Sequence, residues 1–379
     1  MKRCIVSLIT IIALVAVMLV GCGNNNTNKG TSGSKLEGTN EGSGIQVGIV
    51  LPTRDEPRWL QDQAQFNKIL GDAGFSNEVL FSQGDPAIEK TNVESLISKG
   101  IKVLIICPHD GAAAAAAVQS AKDEGITVIS YDRLVTGTEA VDYYVTFDSF
   151  AVGVAQGQYL VDNAKGKGTP LYLYAGAATD NNAFIFFDGA WSVLQPKIAD
   201  GTFVIANSSE AEALKDKAKL TRAEISEIVG QVTTNWDFNV AKSKAEADLT
   251  SSEALKGDVC VLAPNDGTSR SIADVFAGDT DITNYVITGQ DCEKASVQYI
   301  IDGKQSMTVF KDTRILAADS VEMAVKVLEG EKPKTTGVYN NGNKDVPAKQ
   351  TAVIVVEKTN VKESLIDSGY YEAGDFTGL

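Results

Sequence analysis

The sequence is poor in the residues most enzymes and metal proteins rely on. It holds one histidine, His109, in 379 residues. That argues against a His-rich metal site and against a Ser-His-Asp triad. Cysteine is scarce as well, five in all, and no two lie at metal-ligand spacing. Cys107 and Cys260 sit in apolar runs and read as small buried hydrophobes. Positive charge is also short. Lys and Arg total 34 against 49 Asp and Glu, a formal charge of −15. A chain this acidic is a poor partner for nucleic acid or for a broad anionic membrane patch.

What is present begins with a leader. Met1-Lys2-Arg3 is basic, Ile5 to Val20 is nearly unbroken apolar sequence, and Leu19-Val20-Gly21-Cys22 follows. This order is that of an export signal over residues 1–21, with small residues before a cysteine. The apolar run is on the short side for a bilayer core of about 30 Å, and no charged stop-transfer cluster follows it. Lipidation of Cys22 is expected, which anchors the chain outside the cytoplasm and leaves an odd three cysteines in the mature protein. Residues 22–44 are mostly Gly, Asn, Ser and Thr, with Leu36 the single large apolar residue. Such a segment buries too little surface to fold and reads as a tether.

From Ile45 onward, short β-rich runs alternate with helical stretches. Strands are expected at 45–51, 76–81, 103–107 and 126–131, with helices at 57–73, 86–98 and 111–124 between them. The run Val103–Cys107 is fully apolar, as a strand covered on both faces must be. The pattern then repeats. Helices are expected at 150–165, 182–199, 234–250, 269–276, 294–302 and 314–328. Strands are expected at 171–174, 203–206, 259–262, 285–288, 306–309 and 353–356. The order implies α/β architecture with doubly wound parallel sheets and right-handed crossovers, in two similar halves. Residues 207–226 are rich in Glu, Lys and Ala and carry no readable function.

Ligands of doubly wound sheets bind at the carboxyl ends of the strands. The residues there share one chemical character. Arg58-Trp59 follows the first strand, Asp110 the third, and Asp132-Arg133 the fourth. Later loops carry Asn182, Trp236, Asn265, Asp291 and Lys311. Carboxylates, amides, cations and aromatic rings together suit an aldose. Each hydroxyl donates to a carboxylate and accepts from Arg, Lys or Asn, and the C–H faces of the ring pack on Trp or Phe.

The segments "PTRDEPRWLQD", "YDRL", "VDYYVTFD", "VGVAQGQYLVD", "TDNNAFIFFDGAWSVLQP", "ITGQDCEKASVQYIIDGKQSMTVFKDTR" and "DSGYY" carry a specific resemblance. From about Ile45 to its end the chain resembles the periplasmic sugar-binding proteins of the ribose, galactose and xylose superfamily, with the type I periplasmic binding fold. Within them it is most similar to the branch that binds several monosaccharides and to the xylose-binding proteins. The resemblance implies two lobes joined by a three-segment hinge, residues 45–148 plus 311–334 in one and 149–310 plus 335–379 in the other.

It further implies that Arg58 binds sugar and Trp59 stacks on it, and that Asp110 is a polar ligand. Asp132 and Arg133 would grip adjacent hydroxyls, and Asn182, Asn265, Asp291 and Lys311 would contribute from the second lobe and the crossover. Trp236 would supply a second stacking face. The implied function is delivery of an aldose such as glucose, galactose, xylose or arabinose to an ABC permease by a monomer without cofactor or catalysis. A sensor that shows its closed form to a histidine kinase or chemoreceptor is the alternative, and a glycoside-processing enzyme a remote one.

Plainer roles compete at several positions. Asp110, Asn265 and Asp266 each precede a helix and can serve as N-caps, as can Asp180, Asn181 and Asp312. Asp132-Arg133 can be a surface ion pair of little worth. Trp59 can simply staple the first turn of its helix.

Overall fold

The computed structural model describes residues 44–379, which form one compact unit. The leader, Cys22 and nearly all of the tether lie outside the described residues. Among the described residues no helix is long and apolar enough to cross a membrane.

The first half runs β1 (Val47–Leu51), α1 (Pro57–Asp72), β2 (Asn77–Phe81), α2 (Pro86–Ser98), β3 (Val103–Ile106), α3 (Ala115–Asp123), β4 (Thr127–Tyr131) and β5 (Tyr143–Phe147). The second runs α4 (Ser149–Asn163), β6 (Thr169–Leu173), α5 (Asn181–Ala199), β7 (Phe203–Ile205), α6 (Ser209–Ala213), α7 (Arg222–Val232), α8 (Phe238–Ser251), β8 (Gly257–Leu262), α9 (Asp266–Gly278), β9 (Ile282–Ile287), α10 (Lys294–Ile301) and β10 (Met307–Phe310). The chain ends with α11 (Thr313–Leu328), β11 (Gly337–Asn340), β12 (Asp345–Thr351) and β13 (Ile354–Glu357), followed by a terminal segment with two short helical turns.

Two larger sheets and a two-stranded one, β10-β13, organise these elements. The first has the order β11-β12-β5-β4-β3-β1-β2 and the second β7-β6-β8-β9. Strands β1 to β5 pair in parallel, as do β6 to β9. Every residue of β1, β3 and β6 is buried, so helices cover both faces of each sheet. Helix α1 starts with Pro57, whose missing N–H costs nothing there, and it packs Trp59, Phe66 and Leu70 inward. The two-lobed α/β reading of the sequence holds.

One boundary does not. Residues from 335 onward were expected in the second lobe, yet β11 and β12 extend the first sheet. Strand β12 lies parallel to β5, with Ala348 opposite Tyr144 and Thr351 opposite Phe147. Only β13 returns to the second lobe, where it pairs antiparallel with β10. The third crossing therefore lies between Thr351 and Ile354, not near Lys334. The sequence hides this because β11 and β12 are an edge hairpin with little apolar content.

The segment 207–226 also gains an account. Thr221 and Glu224 form a capping box that starts α7, and Ile225, Ile228, Val229 and Val232 then enter the second lobe's core. Helices α4 and α5 touch backbone to backbone. A Cβ at Gly153 would lie 1.9 Å from the Phe186 carbonyl oxygen, and one at Gly189 would lie 2.2 Å from that of Phe150.

Candidate ligand-binding site

The loops at the carboxyl ends of both sheets meet around a small cavity. Arg58 stands at the N-terminus of α1, where the helix dipole disfavours a cation. It is nonetheless buried, and three carboxylates surround it. Its Nη2 donates to Asp132 Oδ2 at 2.6 Å and its Nε to Asp62 Oδ2 at 3.3 Å, while Nη1 lies 3.7 Å from Asp291 Oδ1. The guanidinium also sits 4.5 Å from the centre of the Trp59 ring.

Asp132 has φ +59, a left-handed conformation that few residues other than Gly, Asn and Asp adopt. Its surroundings hold it there. Its N–H donates to Val145 O at 2.8 Å, and its carbonyl accepts from Tyr144 Oη (2.6 Å), Asn182 Nδ2 (2.7 Å) and Thr146 Oγ1 (3.2 Å). Burial pushes its carboxyl upward, but Arg58 and then Lys311 outweigh that and hold it below the usual aspartate value. Asp132 is thus an anion and a strong acceptor. Arg133, beside it, reaches Asp180 Oδ2 at 3.1 Å and lies 5.2 Å from the Trp59 ring centre.

The second lobe supplies the opposite wall. Lys311 Nζ lies 2.8 Å from Asp291 Oδ1, and Asp291 has φ +101. Asn265 caps α9 through its Oδ1, which accepts from Thr268 Oγ1 at 2.6 Å and leaves Nδ2 outside that cap. Trp236, with φ +60, packs edge-on to Phe186 and fills the space above Gly176. A Cβ at Gly176 would fall 2.0 Å from Trp236 Cζ2, so only glycine lets the indole lie there. The Trp236 Nε1 has no hydrogen-bond partner in the protein. Backbone strain of this kind gathers at ligand sites, where the surroundings over-determine it.

Nine of the ten residues singled out from the sequence line this one cavity: Arg58, Trp59, Asp132, Arg133, Asn182, Trp236, Asn265, Asp291 and Lys311. Asp110 does not. Its Oδ1 accepts from the N–H groups of Ala112 and Ala113, both at 2.9 Å, so the plainer capping role accounts for it. The neighbouring Gly111 instead bridges the lobes, its N–H donating to Thr179 O at 3.0 Å. Further direct contacts cross the cleft, among them Asn182 Nδ2 to Asp132 O, Tyr144 Oη to Asn182 Oδ1 and Arg133 to Asp180.

Four lining residues were missed: Glu56, Asp180, Phe186 and Gln290. Phe186 lies one helical turn after Asn182, so their shared face was readable. Asp180 does two things at once. One oxygen caps α5 through Asn182 N–H at 2.8 Å, and the other meets Arg133.

His109 lies outside the cavity, but its N–H donates to a buried carboxylate, Glu89, at 2.9 Å. Burial pushes Glu89 up to about 7, against the help of that N–H and the Ser82 hydroxyl. In the unfolded chain its ordinary value is 4.5. Between these values the folded state holds a proton that the unfolded state has lost, so stability falls as pH rises through the window. Asp62 acts in the same sense, and His109, held below its ordinary value by burial, opposes weakly. The apo-protein should therefore melt at a higher temperature at pH 5 than at pH 7.5. Glu89→Gln should raise the melting temperature at pH 7.5 and flatten the profile. Calorimetry at the two pH values checks this, and a lower wild-type melting temperature at pH 5 would contradict it.

Chemically, the cavity alternates anions and cations between two indoles, which matches a small ring bearing many hydroxyls. Among the described residues no cluster of His, Cys, Asp or Glu is placed to hold a metal ion.

The chain shares this organisation with known proteins. The periplasmic binding protein domain family matches residues 47–332. The multiple sugar-binding periplasmic receptor ChvE of Rhizobium radiobacter is 38% identical over 86% of this chain and 91% of its own. The multiple sugar-binding periplasmic protein SbpA of Azospirillum brasilense is 37% identical, over 87% and 90%. Among solved structures, a carbohydrate transporter solute-binding protein from Chloroflexus aurantiacus in complex with D-glucose is 66% identical. It superposes with a TM-score of 0.87 and covers 88% of this chain and 99% of its own. An ABC transporter solute-binding protein from Clostridium phytofermentans with bound β-D-glucose is 33% identical, with a TM-score of 0.77 over 87% and 99%.

Proposed function

Because the chain belongs to the periplasmic binding protein domain family, we propose that it binds a monosaccharide outside the cytoplasm and delivers it to an ABC permease, with D-glucose the first candidate. The cavity carries this reading. Its lining is drawn from both lobes and combines three kinds of group, carboxylates, cations and aromatic rings, around one small space. Paired Asp and Arg or Lys groups offer each hydroxyl both an acceptor and a donor, and Trp59 and Trp236 offer apolar faces. The D-glucose carried by the 66%-identical relative adds weight to that choice.

The protein performs no catalysis in this reading. Glycoside hydrolysis needs one carboxyl that gives up a proton and a second that attacks or activates water. Asp132 is held as an anion by Arg58 and Lys311, and Asp291 lies against Lys311. Asp132 is thereby placed to accept from a ligand, not to transfer a proton. The leader that ends at Cys22 supports export and acylation, so the folded part hangs from the membrane beside the permease.

The test is thermal unfolding of residues 44–379, a compact unit by itself, with D-glucose, galactose, xylose, arabinose, ribose, maltose and several amino acids. A ligand at a hundred times its Kd adds about 2.7 kcal/mol. A clear shift with a monosaccharide is expected. A shift with an amino acid or maltose alone would overturn the reading.

A further inference from the structure

Asp62 is fully buried on α1, on the same face as Trp59, Phe66 and Leu70, and it does not line the cavity. Packing that face needs only an apolar residue, and a buried carboxylate costs several kcal/mol of desolvation in general. Burial indeed pushes its carboxyl up to about 6, against the pull of Arg58 and Tyr131. A group this costly should do something that leucine cannot.

Its two oxygens are both engaged. One accepts from Arg58 Nε at 3.3 Å, and the other accepts from the Tyr131 hydroxyl. Tyr131 is the last residue of β4, fully buried, with its ring edge-on to Phe66 at 4.9 Å. The residue after it is Asp132, which takes Arg58 Nη2. Strand β4 and the residue that follows it therefore grip the guanidinium twice, Asp132 directly and Tyr131 through Asp62. A guanidinium is planar, so fixing Nε and Nη2 also fixes the direction of Nη1. That nitrogen is the one turned toward Asp291 on the opposite lobe.

We propose that Asp62, held by the Tyr131 hydroxyl, is a positioning residue for ligand binding: it touches no ligand and sets the plane in which Arg58 presents its donors to the cavity. The inference rests on the sugar-binding reading above. It assigns to α1 both the cation and the group that aims it, one helical turn apart.

A double-mutant cycle on the mature protein, with D-glucose as probe and calorimetric affinities, tests it. Asp62→Asn keeps the shape and removes the charge. It should weaken binding about ten-fold or more while the apo melting temperature does not fall. Tyr131→Phe, which keeps the ring packing, should weaken binding by a smaller factor of about three. In an Arg58→Lys background, which lacks Nε and the planar fork, adding Asp62→Asn should change affinity less than two-fold, since nothing remains to be aimed. Equal losses in both backgrounds would show that Asp62 acts on the fold and not through Arg58, and would overturn the proposal. Should Asp62→Asn not fold, wild-type affinity in Tyr131→Phe would overturn it instead. If the wild-type protein binds no monosaccharide, the sugar-binding reading fails. If it binds and both variants match it, only the positioning role fails.

Discussion

Asp132→Asn is expected to weaken monosaccharide binding by two to three orders of magnitude and to leave the apo melting temperature nearly unchanged. The substitution is chosen for its backbone. Asp132 has φ +59, which asparagine adopts readily, whereas alanine would add strain of about 1–2 kcal/mol. The Val145, Tyr144, Thr146 and Asn182 contacts all use the Asp132 main chain and survive the change. What is lost is the charge that meets Arg58 at 2.6 Å. Arg58 keeps Asp62 as a buried counter-charge, whereas a bound sugar loses an anionic acceptor with two oxygens; each hydrogen bond to a charged group is worth about 1.5–3 kcal/mol, and each 1.4 kcal/mol is ten-fold in affinity. Sugar titration and apo calorimetry on the same preparation check both halves. An equal loss in apo stability would mark the pair as part of the fold and not of the site.

Gly153→Val should have the largest effect on folding. Its Cβ would come within 1.9 Å of the Phe186 carbonyl oxygen and 2.8 Å of Ala190 N, both main-chain atoms that no rotamer change can move. Helix α4 would have to leave α5, against which Leu160, Phe187 and Trp191 build one core. Overpacking costs typically 1–3 kcal/mol, and a backbone collision belongs at or beyond the top of that range. A loss of at least about 3 kcal/mol would lower the melting temperature by roughly 4 °C in a unit of this size, given an unfolding entropy of about 2.1 cal/mol/K per residue. Because α5 carries Asn182 and Phe186, sugar affinity should fall too. Gly230→Ala in α7 is the control. Nothing lies within 4 Å of the added methyl there, so it should stabilise the protein by about 0.5–1 kcal/mol.

The sequence disclosed the parts of the fold that are apolar on both faces. The run 103–107 reads as a strand covered on both faces because it is fully apolar, and every residue of Val103–Ile106 is buried. The sequence disclosed little of β11 and β12. Their burial is partial, Pro347 sits among them, and their lobe is decided by pairing with β5, a contact no local pattern encodes. At the site, Asp110 and Asp132 look alike in sequence, since both follow a strand. They differ in what comes next. Free N–H groups after Asp110 take its carboxylate, whereas Asp132 turns left-handed and its carboxylate goes to Arg58. Asp180 was readable as a cap and not as Arg133's partner, because the second role depends on the other lobe being near.

The lobes hold each other directly, through Gly111 to Thr179, Asn182 to Asp132 and Arg133 to Asp180. Closure thus has a free energy of its own, to which any cargo adds. A ligand that needs the closed shape binds with its intrinsic affinity scaled by the fraction of molecules already in that shape. Strengthening these contacts ten-fold, while the closed form is still a minority, would sharpen affinity nearly ten-fold. It would also raise the number of closed but vacant molecules by the same factor. If the proposed permease recognises shape alone, it does not tell such decoys from loaded carriers. In the proposed transport role, the strength of the direct contacts between the lobes therefore sets an exchange between sensitivity at low sugar and idle firing of the pump when there is none.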